Sequence, residues 1–520
     1  MGSNQSTETT AHEKVAFERL RALQLEKRET IEEGYVYVNY EKANNQDGDV
    51  QAVLRSREPE GVPVARMAEW QETLLKDPKN RLAISALNGA SPRTVLASPA
   101  ARLAPEQHVF NVKIPFEGAP VTNQRQSGRC WLFASTNVFR VALMQKYGLE
   151  AFELSQAYLF FWDKLEKSNW FLEQVISTAG MDLDSRLVQR LMQEPLSDGG
   201  QWDMVYNLVT KYGLVPQALY PDSFSARASS TLNNIIFTKL REHALTLRSL
   251  LTSTSPTTIT PTALSSKKTA MLHEIHTILT LALGPPPPAT SPFTWSFTDK
   301  AGRARTVRTT PLAFAADIYS PQFRVTSAAI AGMLSLVHDP RHPALTRLSV
   351  DRLGNVVGGR GVEYVNVDMP TLKKACVAML KRGMPVFFGC DVGQFSDSQS
   401  GVMDLGVVDY EVGFNVSLQK GMDKAGRLRT GESLMTHAMV LTGVHVDEEG
   451  SGGTVRWRVQ NSWGEGAGEK GWFVMGDSWM DEFVYQAVVD PAVVGEEVRR
   501  VLKGEPVVLP LWDPMGSLAA

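Results

Sequence analysis

Three cysteines in 520 residues are too few for a disulfide framework, and a chain that leaves its thiols unpaired suits a reducing compartment. Long apolar runs are missing as well: nowhere do about eighteen consecutive apolar residues occur, the length a membrane-spanning helix needs. The first thirty residues lack the apolar core of a signal peptide, and Glu8, Glu13, Glu18 and Glu26 argue against an acid-poor mitochondrial transit segment. A dense basic run is absent too. Lys and Arg total 53 against 56 Asp and Glu, a net charge of −3, so the electrostatic footprint of a nucleic-acid binder is missing. His273 and His276 stand at i and i+3 in a helical run with no third ligand in view, and the zincin pattern is absent. They read as a solvated helix face rather than a metal site. No internal repeat is evident. With 43% hydrophobic and 21% charged residues, what is left is a soluble globular chain large enough for a core with inserted subdomains.

Against this background one cysteine is unusually placed. Cys130 closes the segment Asn123-Gln-Arg-Gln-Ser-Gly-Arg-Cys, and from Trp131 the run Trp-Leu-Phe-Ala-Ser-Thr-Asn-Val-Phe-Arg-Val-Ala-Leu-Met predicts a mostly buried helix, with Ser127 and Gly128 supplying turn and cap. A thiol at a helix N-terminus feels the positive end of the macrodipole, which favours the nucleophilic thiolate. Gln124, six residues upstream, carries an amide able to donate to an oxyanion beside the sulfur. A lone cysteine among apolar residues is by itself more often core filler; two further sites change that balance. His437 lies in the β-branched apolar run Ser433 to His445, and Asn461 ends the alternating run Thr454-Val-Arg-Trp-Arg-Val-Gln, followed by Ser-Trp-Gly464. Both runs read as strands. A Cys, a His and an Asn at element ends supply nucleophile, general base and an amide that orients the imidazole. Cys376, in a helical run, and Cys390, at the end of Pro385-Val-Phe-Phe-Gly-Cys, read as packing residues.

Through Gln124, Cys130-Trp131, His437-Ala438 and Asn461-Ser-Trp-Gly464, the chain resembles the papain-like cysteine peptidases. Their Cys-to-His spacing is roughly 130 to 150 residues, whereas Cys130 and His437 lie 307 positions apart (437 less 130), which implies a large insertion. Among families with one, the bleomycin hydrolases match through Glu153-Leu-Ser-Gln-Ala-Tyr-Leu-Phe-Phe161, Asp198-Gly-Gly-Gln-Trp202, His338-Asp-Pro-Arg-His-Pro343, Asp351-Arg-Leu-Gly-Asn355, Glu432-Ser-Leu-Met-Thr-His437 and Leu511-Trp-Asp-Pro-Met-Gly516. The resemblance implies an α+β fold: a papain-like core with a helical left part, a β-barrel-like right part and an inserted helical hook domain. It also implies cysteine aminopeptidase activity, bleomycin-type amide hydrolysis, homocysteine-thiolactone hydrolysis, no cofactor, and assembly into a homohexamer through the inserted arm. It places Gly199 and Gly200 in the substrate cleft, where paired glycines let a substrate backbone approach closely; on the residues alone a tight turn after a helix is the competing reading. It selects His437 over His445, eight residues further on, and assigns Trp463 to shielding the His–Asn bond. Tyr158, Phe160, Phe161 and Trp162 read as core aromatics.

The resulting organisation is an N-terminal extension over 1–65, the helical half with the nucleophile over 66–222, the inserted arm over 223–343, the β half with His and Asn over 344–500, and a C-terminal tail over 501–520. Within the arm, helices are expected over Asn233–Leu251 and Ala270–Leu283, with apolar faces larger than one small subdomain can bury. The Ser/Thr/Pro-rich piece Thr252–Lys268 is expected to be a mobile surface loop. The proline-rich tail from Pro506 to Ala520 is expected to be extended. In bleomycin hydrolases this tail enters the enzyme's own cleft and presents its terminal carboxylate to the substrate's amino group, a role that the resemblance implies here for Ala519 or Ala520. Met1-Gly-Ser-Asn-Gln-Ser6 fits the N-myristoylation pattern with Gly2 as acceptor, and equally an ordinary disordered tail; one acyl chain gives only weak, reversible attachment. A cytoplasmic location is expected, and the resemblance adds a mitochondrial pool that the N-terminus does not support. The alternative class is a hexameric single-strand nucleic-acid-binding protein with secondary peptidase activity.

Overall fold

A computed structural model describes residues 61–103, 108–252, 259–316, 318–319, 324–325, 332–418, 421–447 and 453–519; Gly2 and Ala520 lie outside them. The chain divides into two compact units, Met1–Arg81 and Leu82–Ala520. In the first, helix Val64–Lys76 buries none of its residues.

The second unit is built on helices α1 (Cys130–Tyr147), α2 (Gln156–Ser177), α3 (Trp202–Tyr212), α4 (Ser230–Thr252), α5 (Pro261–Leu283) and α6 (Met369–Lys381). Every residue of α1 from Cys130 to Met144 is buried, so this is a core helix rather than an amphipathic one, as its unbroken apolar run requires. It stops at Gly148, whose φ of 62° is a left-handed cap that a residue with a Cβ resists. The Ser155 hydroxyl caps α2 by accepting from the Tyr158 amide at 3.0 Å. In the arm, α4 buries Leu232, Ile236, Leu240, Ala244 and Leu247, and α5 buries Met271, Ile275, Leu279 and Leu283. Both stripes recur every three or four residues, and both helices pack on α2. The large apolar faces expected of the arm are thus covered within the chain.

The strands β1 (Val112–Lys113), β2 (Leu334–Val337), β3 (Arg347–Val350), β4 (Glu363–Asn366), β5 (Val386–Cys390), β6 (His437–Val446), β7 (Thr454–Gln460), β8 (Trp472–Gly476), β9 (Val484–Val489) and β10 (Val507–Leu509) belong to one twelve-stranded mixed sheet. Its order runs from the short strands Ser396–Asp397 and Val402–Met403 through β8, β7, β6, β5, β9, β2, β4 and β3 to β10, with β1 paired to β6. The first eight residues of β6 are all buried, because α1 and α6 pack against it, which explains its lack of polar alternation.

Two local expectations are corrected. The presumed loop Thr252–Lys268 is helical from Pro261, since Thr260 caps α5 by accepting from the Ala263 amide at 3.2 Å and Pro261 takes the first helical position; composition concealed an N-cap signal. The tail is extended only over β10, which pairs in parallel with β3. From Pro514 to Ala519 it coils as a 3-10 helix, started by Pro514 and by the Asp513 carboxylate, which accepts from the Met515 amide at 2.9 Å. No helix among the described residues is long and apolar enough to cross a membrane.

Candidate active site

The antiparallel pairing of β6 with β7 sets Val440 opposite Gln460. Continued one residue, that register puts Asn461 opposite Met439, on the same face as His437 and diagonal to it. His437 Nε2 lies 2.9 Å from Asn461 Oδ1, which also accepts the Ser462 amide at 2.7 Å. Because a backbone N–H can only donate, that oxygen is an acceptor; Nε2 therefore carries the ring proton and Nδ1 is left unprotonated, able to accept one. The Trp463 ring covers His437 at 4.9 Å between centroids. His445 stands at the other end of β6, opposite Arg456 and past a register shift, well away from this group.

Cys130 begins α1 and is buried. The cap differs from the expected one: Arg129 holds the N-cap position without a side-chain cap bond. Ser127 instead donates to the Gln124 carbonyl at 2.7 Å and accepts from Arg129 Nε at 2.9 Å. Arg129, fully buried, pairs with both carboxylate oxygens of Asp222 at 2.8 and 3.0 Å. The loops that carry Cys130 and Asn461 are joined directly, with the Gln124 amide donating to Ser462 O at 2.8 Å and the Gly464 amide to Thr122 O at 2.9 Å. Gln124 Nε2 donates to Ser127 O at 2.7 Å, which engages one of its two hydrogens.

Burial pushes the Cys130 thiol up to about 11, although the backbone amides of Ala438, Trp131 and Cys130 itself bond the sulfur and pull it down; the charge on Asp198 adds to the rise. The thiol itself points toward the Gly128 carbonyl, to which it donates at 4.0 Å. Burial likewise drives the His437 imidazole down to about 4, opposed by its bond to Asn461. The expected dipole-lowered thiol is therefore overridden by desolvation when the charge stands alone. A proton moved from sulfur to imidazole would make a pair of charges instead, which a low dielectric holds together. Cys376 and Cys390 are free, buried and raised by desolvation, as inert packing thiols are.

Gly199 and Gly200 meet the chain's own tail. The Gly200 amide donates to Leu518 O at 2.9 Å, and a Cβ on Gly199 would stand 2.1 Å from that oxygen. A Cβ on Gly200 would lie 2.5 Å from the Trp131 ring, so this pair serves close approach on both sides. The Ser197 hydroxyl donates to Ala519 O at 2.5 Å, the Ser517 hydroxyl to Met435 O at 2.8 Å, and the Tyr364 hydroxyl to Met515 O at 3.0 Å. At its base the tail is clamped by Arg341, whose guanidinium meets Asp339 at 2.8 Å and Asp513 at 2.7 Å. Ala519 is thus beside the cleft, and Ala520 lies outside the described residues.

Sequence reasoning missed the polar layer behind this segment. Lys164, Lys167 and Asp163 of α2 are buried; Lys164 reaches Asp198 at 2.5 Å and Lys167 reaches Asp163 at 2.8 Å. The signal was there: two lysines three apart inside the aromatic run Tyr158-Leu-Phe-Phe-Trp-Asp-Lys-Leu-Glu-Lys, of which Tyr158, Phe160 and Phe161 are fully buried. Among the described residues, no group of three or more His, Cys, Asp or Glu is arranged to hold a metal ion.

Comparison with known proteins agrees over most of the length. Residues 62–516 match the model of the Peptidase C1-like family. The chain is 45% identical over 418 residues to the bleomycin hydrolase of Rattus norvegicus, covering 79% of this chain and 89% of that protein. It is 41% identical over 473 residues to the mitochondrial cysteine proteinase 1 of Saccharomyces cerevisiae, covering 90% and 95% respectively. The crystal structure of PepW from Lactobacillus rhamnosis superposes with a TM-score of 0.82 at 38% identity, over 88% of this chain and 99% of that one.

Proposed function

Because the chain belongs to the Peptidase C1-like family, alongside the bleomycin hydrolases, and is therefore a papain-like cysteine peptidase, we propose that it removes N-terminal residues from peptides, with Cys130 as nucleophile, His437 as base and Asn461 as orienting group. The observation that carries the exopeptidase reading is the tail held by Ser197 and Gly200: a chain seated there closes the groove to any substrate extending past it, and its terminal carboxylate, supplied by Ala519 or Ala520, pairs with the substrate's ammonium.

Cys130 sulfur attacks the first peptide carbonyl while His437 Nδ1 holds the thiol proton. The Cys130 backbone amide and the free hydrogen of Gln124 Nε2 stabilise the tetrahedral oxyanion, each donor of this kind being worth about 3 to 4 kcal/mol of barrier. His437 then delivers the proton to the leaving amine, and a water activated by the same nitrogen hydrolyses the thioester. Gly199 and Gly200 flank the bound residue, and Trp463 keeps water from the His437–Asn461 bond.

The same reading extends to the bleomycin amide and to homocysteine thiolactone, to homohexamer assembly, and to a cytoplasmic location. The buried faces of α4 and α5 lend no support of their own to the hexamer, and light scattering with a mass near one chain would remove it. Iodoacetamide inactivation tests the nucleophile: loss of aminopeptidase activity should follow the labelling of Cys130 one for one, and inactivation in step with Cys376 or Cys390 would refute the assignment.

A further inference from the structure

The segment Ser197–Gly200 is gripped from three sides. From behind, Lys164 and Lys167 each donate to Ser197 O at 3.1 Å, and Lys167 also donates to Gly199 O. In front, Ser197 and Gly200 hold Ala519 and Leu518 of the tail. Between them the Asp198 side chain, 9% exposed, turns toward the nucleophile. Its Oδ2 accepts the Gly128 amide at 3.1 Å, two residues before Cys130, and the Ser229 hydroxyl; its Oδ1 accepts Asn233 Nδ2 at 2.9 Å and meets Lys164 at 2.5 Å. The Asp198 carbonyl accepts Trp131 Nε1 at 2.7 Å, so the residues on both sides of Cys130 are bound to one aspartate. Gly128 is a glycine for that reason: a Cβ there would stand 2.7 Å from the Asp198 Cβ.

Ser229 and Asn233 belong to the start of the inserted region, whose backbone also grips the nucleophile's turn. The Gln126 amide donates to Arg227 O at 2.9 Å and the Ser229 amide to Gln126 O at 3.4 Å. We propose that Asp198 is a positioning residue for Cys130, tying the turn that presents the sulfur to the inserted region and to the segment that anchors the tail. The proposal rests on Cys130 being the nucleophile. Four charge-assisted or buried bonds on one carboxylate fix the turn more tightly than loop packing does, and a nucleophile displaced by a fraction of an ångström loses rate without losing substrate affinity.

Position and charge act in opposite senses here, which makes the role separable from mere stability. The charged and titratable groups around the sulfur are His437 on β6, Cys390 at the end of β5, Arg129 with Asp222 at the head of α1, and Asp198 with Lys164, Lys167 and Asp163 behind it. Burial tends to raise the Asp198 carboxyl, yet Lys164, Ser229 and Asn233 hold it well below the usual range, and its charge opposes the Cys130 thiolate. Asp198→Asn should therefore lower kcat by about tenfold to a hundredfold with KM within a factor of about three. At the same time it should move the acid limb of Cys130 alkylation by iodoacetamide to lower pH. A purely structural role would lower the melting temperature and leave that limb in place. Ser229→Ala, which keeps every charge, should cost about fivefold in kcat, the worth of one hydrogen bond. The proposal is overturned if Asp198→Asn folds with the parent's kcat and acid limb, or if Asp198→Asn does not fold and Ser229→Ala has the parent's kcat. An active Cys130→Ala enzyme would instead overturn the reading beneath it.

Discussion

Cys130 stands in front of two buried lysines, the buried Asp163 and the largely covered Asp198, whereas His437 is placed by strand register and one amide. Cys130 sits at the start of a helix, after a turn held by isolated backbone bonds rather than a continuous ladder, so side-chain charge and hydrogen bonds add to its order. His437 sits in a strand whose neighbours on both sides dictate its direction, and it needs only one partner to choose the ring's tautomer. Charge adds order where backbone bonds are isolated, and register supplies it where they are continuous. This predicts that changes to buried polar groups damage the two halves unequally.

The largest effect should come from the nucleophile. Cys130→Ala should remove activity to background while mass and fold stay as in the parent, because the thiol contributes little to packing; kinetics with light scattering checks both. On the base side, Asn461→Ala should leave about one part in ten to a hundred of kcat, since an orienting group contributes less than the atom it serves. Its pH signature has a definite sign. The Asn461 bond raises the His437 pKa, so its removal lowers it, and the pH plateau of kcat/KM should lose its alkaline end while the acid limb of Cys130 alkylation barely moves. Asp198→Asn should move the acid limb instead, and if both variants moved the same limb the contrast between the halves would fail. A smaller effect is expected at the base of the tail. Arg341→Ala leaves Asp339 buried with no guanidinium, which should cost about 3 kcal/mol of stability by breaking a buried pair and let acetylated peptides be cleaved slowly. Denaturant titration and peptide assays measure the two effects separately.

Much of this was legible in the chain itself, and the reasons are local. Cys130, His437 and Asn461 lie at ends of elements whose periodicity is strong, so their placement follows from patterns of a dozen residues. Register then decided between His437 and His445, which pattern alone could not. The start of α5 was hidden because Thr260-Pro261 is both a cap signal and part of a Ser/Thr/Pro-rich stretch. The coil of the tail depends on Asp513 and on distant Arg341, and the charges behind Gly199 come from a helix more than thirty residues upstream. Such long-range pairings leave no periodic trace; buried lysines in an aromatic helix were the only hint.

Conversion of a peptidase groove into an aminopeptidase site by the tail is tested with matched peptides, free and acetylated at their N-termini, on the full-length chain and on one lacking Met515–Ala520. Full-length enzyme should prefer the free amine, and truncation should lower kcat/KM on free-amine peptides while acetylated ones become cleavable internally. An active truncated enzyme with an unchanged preference would contradict it.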